Sequence, residues 1–122
     1  MGEKILLVED DPVLQKLYSD LLTSAALQFE AVSDGETGYQ KMSQGGWKLI
    51  LLDLILPKMN GFDIIKKIKE NPPQDSIGKI VLLTNLEQGK EIDEIKSLGY
   101  QFLIKSDLDP NQFIEKVKLF LT

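Results

Sequence analysis

Four short apolar runs in this chain each end on a reactive polar residue. Ile5-Leu6-Leu7-Val8 leads into Glu9-Asp10-Asp11, and Leu49-Ile50-Leu51-Leu52 into Asp53. Ile80-Val81-Leu82-Leu83 leads into Thr84, and Phe102-Leu103-Ile104 into Lys105. Runs this short and this apolar, separated by helix-like stretches, read as buried strands of a parallel sheet. In such a sheet every strand points the same way, so the four polar ends collect along one edge. That edge, outside the carboxyl ends of the strands, is where open α/β sheets hold ligands.

A chain of 122 residues reads as one domain, 1–122, able to bury ~65% of the surface its unfolded form exposes. The net charge of −5 argues against direct contact with nucleic acid, whose phosphates it would repel. The sequence holds no Cys, which removes disulfides and thiol chemistry, and no His, which removes the commonest general base and zinc ligand. The longest apolar stretch, Leu49 to Leu56, is interrupted by Asp53 and is too short to span a bilayer. Met1-Gly2-Glu3-Lys4 runs straight into a strand, so no signal peptide and a cytoplasmic location are expected.

Between the apolar runs lie five strand–helix units. The first helix is expected to start at Pro12 with Asp11 as its cap, and to bury Leu14, Leu17, Tyr18, Leu21, Leu22 and Ala25. A more polar strand, Phe29 to Val32, contains Glu30 and suits a sheet edge. Ser33 with Glu36 has the spacing of a capping box for the second helix, which Gly45-Gly46 closes. Asn60 and Asp63 open a third helix with Ile64, Ile65 and Ile68 inward, ended by Asn71-Pro72-Pro73. A fourth helix is expected over Leu86 to Leu98, with Ile92, Ile95 and Leu98 as its thin apolar stripe and Gly99 as its stop. Asp109-Pro110-Asn111-Gln112 caps a fifth, whose inward stripe is Phe113, Ile114, Val117, Phe120 and Leu121. Alternating β and α elements with right-handed crossovers give an open, doubly wound α/β sheet covered on both faces.

The gathered edge would bring Glu9, Asp10, Asp11 and Asp53 within a few ångströms of one another. Two like charges ~4 Å apart repel by ~4 kcal/mol at an effective dielectric near 20. Lys105 supplies one positive charge, and the remainder calls for a divalent ion. Hard oxygen ligands in a water-accessible site select Mg²⁺ or Mn²⁺ over zinc or copper. In that setting Asp53 can attack phosphorus as a nucleophile and form an aspartyl phosphate. The cation and Lys105 would neutralise the transferring group, and Thr84 would donate a hydrogen bond to it. No general base is required, because carboxylates are ionised at neutral pH.

Taken together, Val8-Glu9-Asp10-Asp11, Leu52-Asp53 followed by Pro57 and Gly61, Leu83-Thr84 and Lys105 resemble the receiver domain of bacterial two-component response regulators. The resemblance covers essentially the whole chain. It implies a flavodoxin-like five-stranded sheet of order 2-1-3-4-5 with five helices, an order that periodicity alone does not supply. It also implies roles for single residues. Asp53 matches the phosphoacceptor, Asp10 the acid that binds metal directly, and Glu9 the acid that assists through water. Ile55 matches the position whose backbone carbonyl binds metal. Thr84 matches the hydroxyl that contacts the phosphoryl group, Lys105 the lysine that pairs with it, and Phe102 the aromatic that turns inward when Thr84 moves. Two departures stand out. Ser106 follows the lysine where proline is usual, so a trans bond is expected there. Asn85 follows the threonine where a small residue is usual. Ile55 and Leu86 fall where the family tunes attack of water on the phosphoaspartate, and neither can orient a water by hydrogen bonding, so a long-lived phosphorylated form is expected.

The bland readings differ in weight. Asp11 suits a helix cap, Phe102 suits a core aromatic, and the charged fourth helix suits a solvated face. The implied function is a phosphorylation-controlled signalling switch rather than a conventional enzyme. Its partners would be a histidine kinase or phosphotransfer protein and a downstream output protein or domain, with a homodimer on phosphorylation as a further option and no membrane partner. The competing reading, an aspartyl-phosphate phosphohydrolase, wants a second acid two residues beyond the nucleophile, where this chain has Ile55. A degenerate receiver that binds partners without phosphate conflicts with the intact set Asp10, Asp53, Thr84 and Lys105.

Overall fold

Each apolar run forms a strand, and all the strands are parallel. The computed structural model describes residues 4–74, 77–85 and 90–122. Its strands are β1 (Lys4–Val8), β2 (Gln28–Val32), β3 (Leu49–Asp53), β4 (Lys79–Thr84) and β5 (Gln101–Ile104). The helices are α1 (Pro12–Ser24), α2 (Gly35–Gln44), α3 (Gly61–Glu70), α4 (Lys90–Ser97) and α5 (Pro110–Leu121), and one 3₁₀ turn spans Lys105–Asp107. The sheet order is β2-β1-β3-β4-β5. Ile5 lies beside Leu49, Asp53 beside Leu83, and Thr84 beside Ile104, so the strands end nearly level.

The unbroken apolar runs follow from burial on both faces. Side chains alternate across a strand, so each run feeds two cores. Leu6, Val8, Ile50, Leu52 and Leu82 pack under Met42 of α2, Ile64, Ile65 and Ile68 of α3, and Ile95 of α4. Ile5, Leu7, Leu49, Leu51, Val81 and Leu83 pack under Tyr18 and Leu22 of α1 and Phe113, Val117 and Leu121 of α5. The Tyr18 and Phe113 rings stack at 4.5 Å between centroids, joining α1 to α5. Edge strand β2 tolerates Glu30 because Lys4 and Lys41 reach its carboxylate at 2.6 and 3.1 Å.

Caps set the helix starts. Asp11 accepts from the Val13 and Leu14 N–H groups, Asn60 from Asp63, and Asp109 with Gln112 forms a reciprocal capping box. The second helix departs from expectation. Asp34, not Ser33, is its cap, accepting from the Thr37 N–H, while the Ser33 hydroxyl meets the Gln15 amide of α1 at 3.0 Å. Two stripe residues also lie outward: Leu17 is 41% exposed and Leu98 is 40% exposed. Leu17 lies on an exposed face of α1, and Leu98 falls one residue past the end of α4. The expected start of the fourth helix at Leu86 falls outside the described residues. The Lys105–Ser106 bond is trans, as no described peptide bond is cis.

Two helices end in the same way. After α4, the Gly99 N–H reaches the Lys96 carbonyl and the Tyr100 N–H the Ile95 carbonyl, with Gly99 at φ 82°. After α1, the Ala26 N–H reaches Thr23 and the Leu27 N–H reaches Leu22, with Ala26 at φ 60°. Both are Schellman closures, but the second holds an L side chain in the left-handed region. That conformation costs alanine ~1–2 kcal/mol, against an unfolded-state entropy penalty for glycine of ~0.5–1 kcal/mol. Ala26→Gly is therefore expected to stabilise the chain by about 0.5–1 kcal/mol, read as a higher urea midpoint at unchanged slope.

Candidate functional site

Parallel strands ending level place Glu9 and Asp10 just past β1, Asp53 at the end of β3, Thr84 at the end of β4, and Lys105 just past β5. These residues line one cleft of about 230 Å³, together with Asp11, Leu14, Leu54, Ile55 and Asn85. Glu9, Asp53 and Thr84 are buried although polar, while Asp10 is exposed. One carboxylate oxygen from each of Glu9, Asp10 and Asp53 lies within 4.8 Å of the others, so this acidic cluster could bind a metal ion.

Lys105 crosses to the acids from the far strand. Its ammonium lies 2.6 Å from Glu9 Oε1 and donates to Asp53 Oδ2 at 2.8 Å, and its side chain is only 5% exposed. One ammonium faces three carboxylates. With all three ionised, two negative charges are left over, the charge a divalent cation cancels. The donor set fits such an ion, being all hard oxygen and clustered at the mouth of a cleft.

The strain of this arrangement falls on Glu9. Burial, and then its hydrogen bond to Asp53, raise the Glu9 carboxyl from 4.5 to about 7, with Lys105 opposing. Lys105 itself is pushed above its usual value, because its bonds to Asp53 and Glu9 outweigh the burial that would lower it.

Most expected site residues line this cleft, and Phe102 does not. Asp11 is outside the acidic triplet; its carboxylate is turned to the α1 N–H groups it caps, so the charge cluster has three acids rather than four. Ile55 is 70% exposed at the cleft, and its N–H approaches Asp53 Oδ1 at 3.4 Å. Phe102 stands apart from the acids. It is half-buried on β5, packed against the core that holds Leu82 and Ile95, and it lines a separate groove of about 550 Å³ with Tyr100 and Phe120. Leu86 lies outside the described residues.

Sequence reasoning passed over three contributors. Gln15 of α1 reaches back over the ends of β1 and β2, and nothing in its spacing separates it from an exposed glutamine. Gly35 and Gly38 are buried on the α2 face that meets the sheet. A methyl at Gly35 would overlap the Met59 carbonyl oxygen, and one at Gly38 would stand 2.9 Å from Val8 Cγ1. These two glycines let α2 close on β1 and on the loop that follows Asp53, and the Gly35 N–H ties that loop at the Pro57 carbonyl.

Glu9 gives this site a pH signature. A raised carboxyl pKa means the folded chain holds the proton more tightly than the unfolded chain. The Glu9 contribution to stability is therefore fully present below about pH 4.5 and is lost as pH rises through about 7. In metal-free buffer, Glu9→Gln is expected to remove a loss on the order of 2 kcal/mol between pH 5 and 7.5, measured by urea unfolding at both values.

A family model described as the response regulator receiver domain matches residues 5–118. The chain is 28% identical over 120 residues to a transcriptional regulatory protein of Haemophilus influenzae, the CpxR homolog, covering 97% of this chain and 50% of that protein. It is 35% identical over 116 residues to the transcriptional regulatory protein CiaR of Streptococcus pneumoniae, covering 95% and 48%. The chain thus spans about half the length of these relatives. Among solved structures, it superposes with a TM-score of 0.84 on the receiver domain of the sensor histidine kinase PA1611 from Pseudomonas aeruginosa, which has a magnesium ion coordinated in its active site cleft. That match has 22% identity over 99% of this chain and 98% of the other.

Proposed function

The chain belongs to the response regulator receiver domain family, and from that premise we propose that Asp53 is its phosphoacceptor. The observation that carries the reading is the junction of Asp53 with Lys105 and a metal-competent acid cluster at one sheet edge. The Asp53 carboxylate attacks the phosphorus of a phosphohistidine on a kinase or phosphotransfer protein. The new oxygen–phosphorus bond forms as the nitrogen–phosphorus bond breaks, and the imidazole leaves with the electron pair. Lys105, already 2.8 Å from Asp53, neutralises charge on the arriving group, and Thr84 donates to it from the neighbouring strand end. Asp10, Asp53 and the Ile55 carbonyl would hold Mg²⁺ or Mn²⁺, with Glu9 assisting through water. When bound, the cation supplies charge neutralisation of the phosphoryl oxygens.

The switch follows from the same contacts. A phosphoryl group on Asp53 competes for the Lys105 ammonium and draws Thr84 toward it, and Phe102 on the adjoining strand follows. The changed surface around α4, β5 and α5 would then meet an output protein or domain, or a second copy of the chain. Ile55 stands where a hydrolase of phosphate esters needs its second acid, which favours a switch over turnover.

With Mg²⁺ and a small acyl phosphate, the chain is expected to gain the mass of one phosphate. Asp53→Asn is expected to gain none, with intact-mass spectrometry as the readout, and multiple turnover of phosphate esters would contradict the proposal. The phosphorylated form is expected to be long-lived, because the exposed Ile55 side chain has no polar atom to orient a water. Ile55→Asn adds one hydrogen bond of about 1.4 kcal/mol at the transition state and should speed decay about tenfold, measured by loss of the phosphorylated mass with time.

A further inference from the structure

The Gln15 amide sits where three acceptors from two segments, past β1 and at the end of β2, converge. Its Nε2 is 2.8 Å from the Glu9 carbonyl, 3.0 Å from the Val32 carbonyl and 3.0 Å from Ser33 Oγ. Two of these are backbone carbonyls, which only accept, so the NH₂ end of the amide must face them. The Val32 carbonyl also accepts from the Glu9 N–H at 3.1 Å. Glu9 is thereby held at both ends, by its N–H to β2 and by its carbonyl to α1.

We propose that Gln15 is a positioning residue for the acid pair, fixing the plane of the Glu9–Asp10 peptide and so the direction from which Asp10 meets a divalent cation. The Glu9 carbonyl belongs to that peptide. The six atoms from Cα of Glu9 to Cα of Asp10 are coplanar, so anchoring the oxygen anchors Asp10 Cα. Asp10 needs such an anchor. It lies two residues past the end of β1, before the first turn of α1, and is exposed. One peptide further on, the Asp11 N–H contacts Glu9 Oε2 at 3.3 Å, so Asp10 lies between two anchored peptides. Partners that orient metal ligands without touching the metal commonly change affinity 10–100-fold when removed.

The inference rests on the reading of Glu9, Asp10 and Asp53 as a cation site, and the test separates the two. Mg²⁺ affinity is measured by calorimetric titration for the unsubstituted chain, for Gln15→Met, which keeps length and helix propensity but has no N–H, and for Gln15→Asn, whose amide stops one methylene short. Leu121→Ala, in the core beneath α5, serves as a destabilised control remote from the acids. All are compared at a temperature where urea curves show each fully folded. We expect Gln15→Met to weaken Mg²⁺ binding by about tenfold, Gln15→Asn to weaken it in the same direction, and Leu121→Ala to bind as the unsubstituted chain does. If Gln15→Met does not fold, Gln15→Asn alone decides. Mg²⁺ affinity within twofold of the unsubstituted chain in the folded Gln15 variants would overturn the positioning role and leave the cation site standing. Absence of Mg²⁺ binding by the unsubstituted chain would overturn both.

Discussion

A single ammonium held between two buried carboxylates is the contact on which the rest of the arrangement depends. Lys105 reaches Glu9 and Asp53 across three strands, with all three side chains nearly shut off from solvent. Removing charges from water costs several kcal/mol for each ion, and mutual attraction only partly offsets this. Such a triad is a poor device for stability, since apolar residues of similar volume would hold the fold as well. What it gives is a carboxylate beside a fixed cation in a cleft where further positive charge is welcome. The raised Glu9 carboxyl is the visible cost, and a divalent ion is the natural way to relieve it.

Geometry of that quality needs a rigid base. The two cores supply it, because every residue of β3 is buried and each face of the sheet is clamped by helices. The connections do the finer work. Gly35 lets the loop after Asp53 fold against α2, and Gln15 ties the ends of β1 and β2 to α1. Side chains with no reactive role thus hold the reactive ones.

Much of this was legible in the chain itself. The four apolar runs specify parallel strands, and their terminal residues specify the site, because a strand's last residue falls at a fixed edge. The caps at Asp11, Asn60 and Asp109 were legible because capping is local chemistry. Where reading went astray, the reason was tertiary. Asp34 rather than Ser33 caps the second helix, and the Ser33 hydroxyl meets the Gln15 amide, a partner distant in sequence. Leu17 keeps the helical period yet is exposed, and Leu98 falls past the end of α4. Asp11 caps its helix as expected, and the open N–H groups it meets there hold its carboxylate out of the acid cluster.

The sequence by itself determined the fold class and the identity of the residues at the edge, since both follow from local period and from chemistry at strand ends. Only the tertiary structure decided how those residues share charge. That Glu9 is fully buried, that Lys105 binds two acids at once, and that Gln15 grips the Glu9 carbonyl are contacts between segments distant in sequence. Period and propensity describe one segment at a time. Distances between segments exist only once the sheet has brought them together.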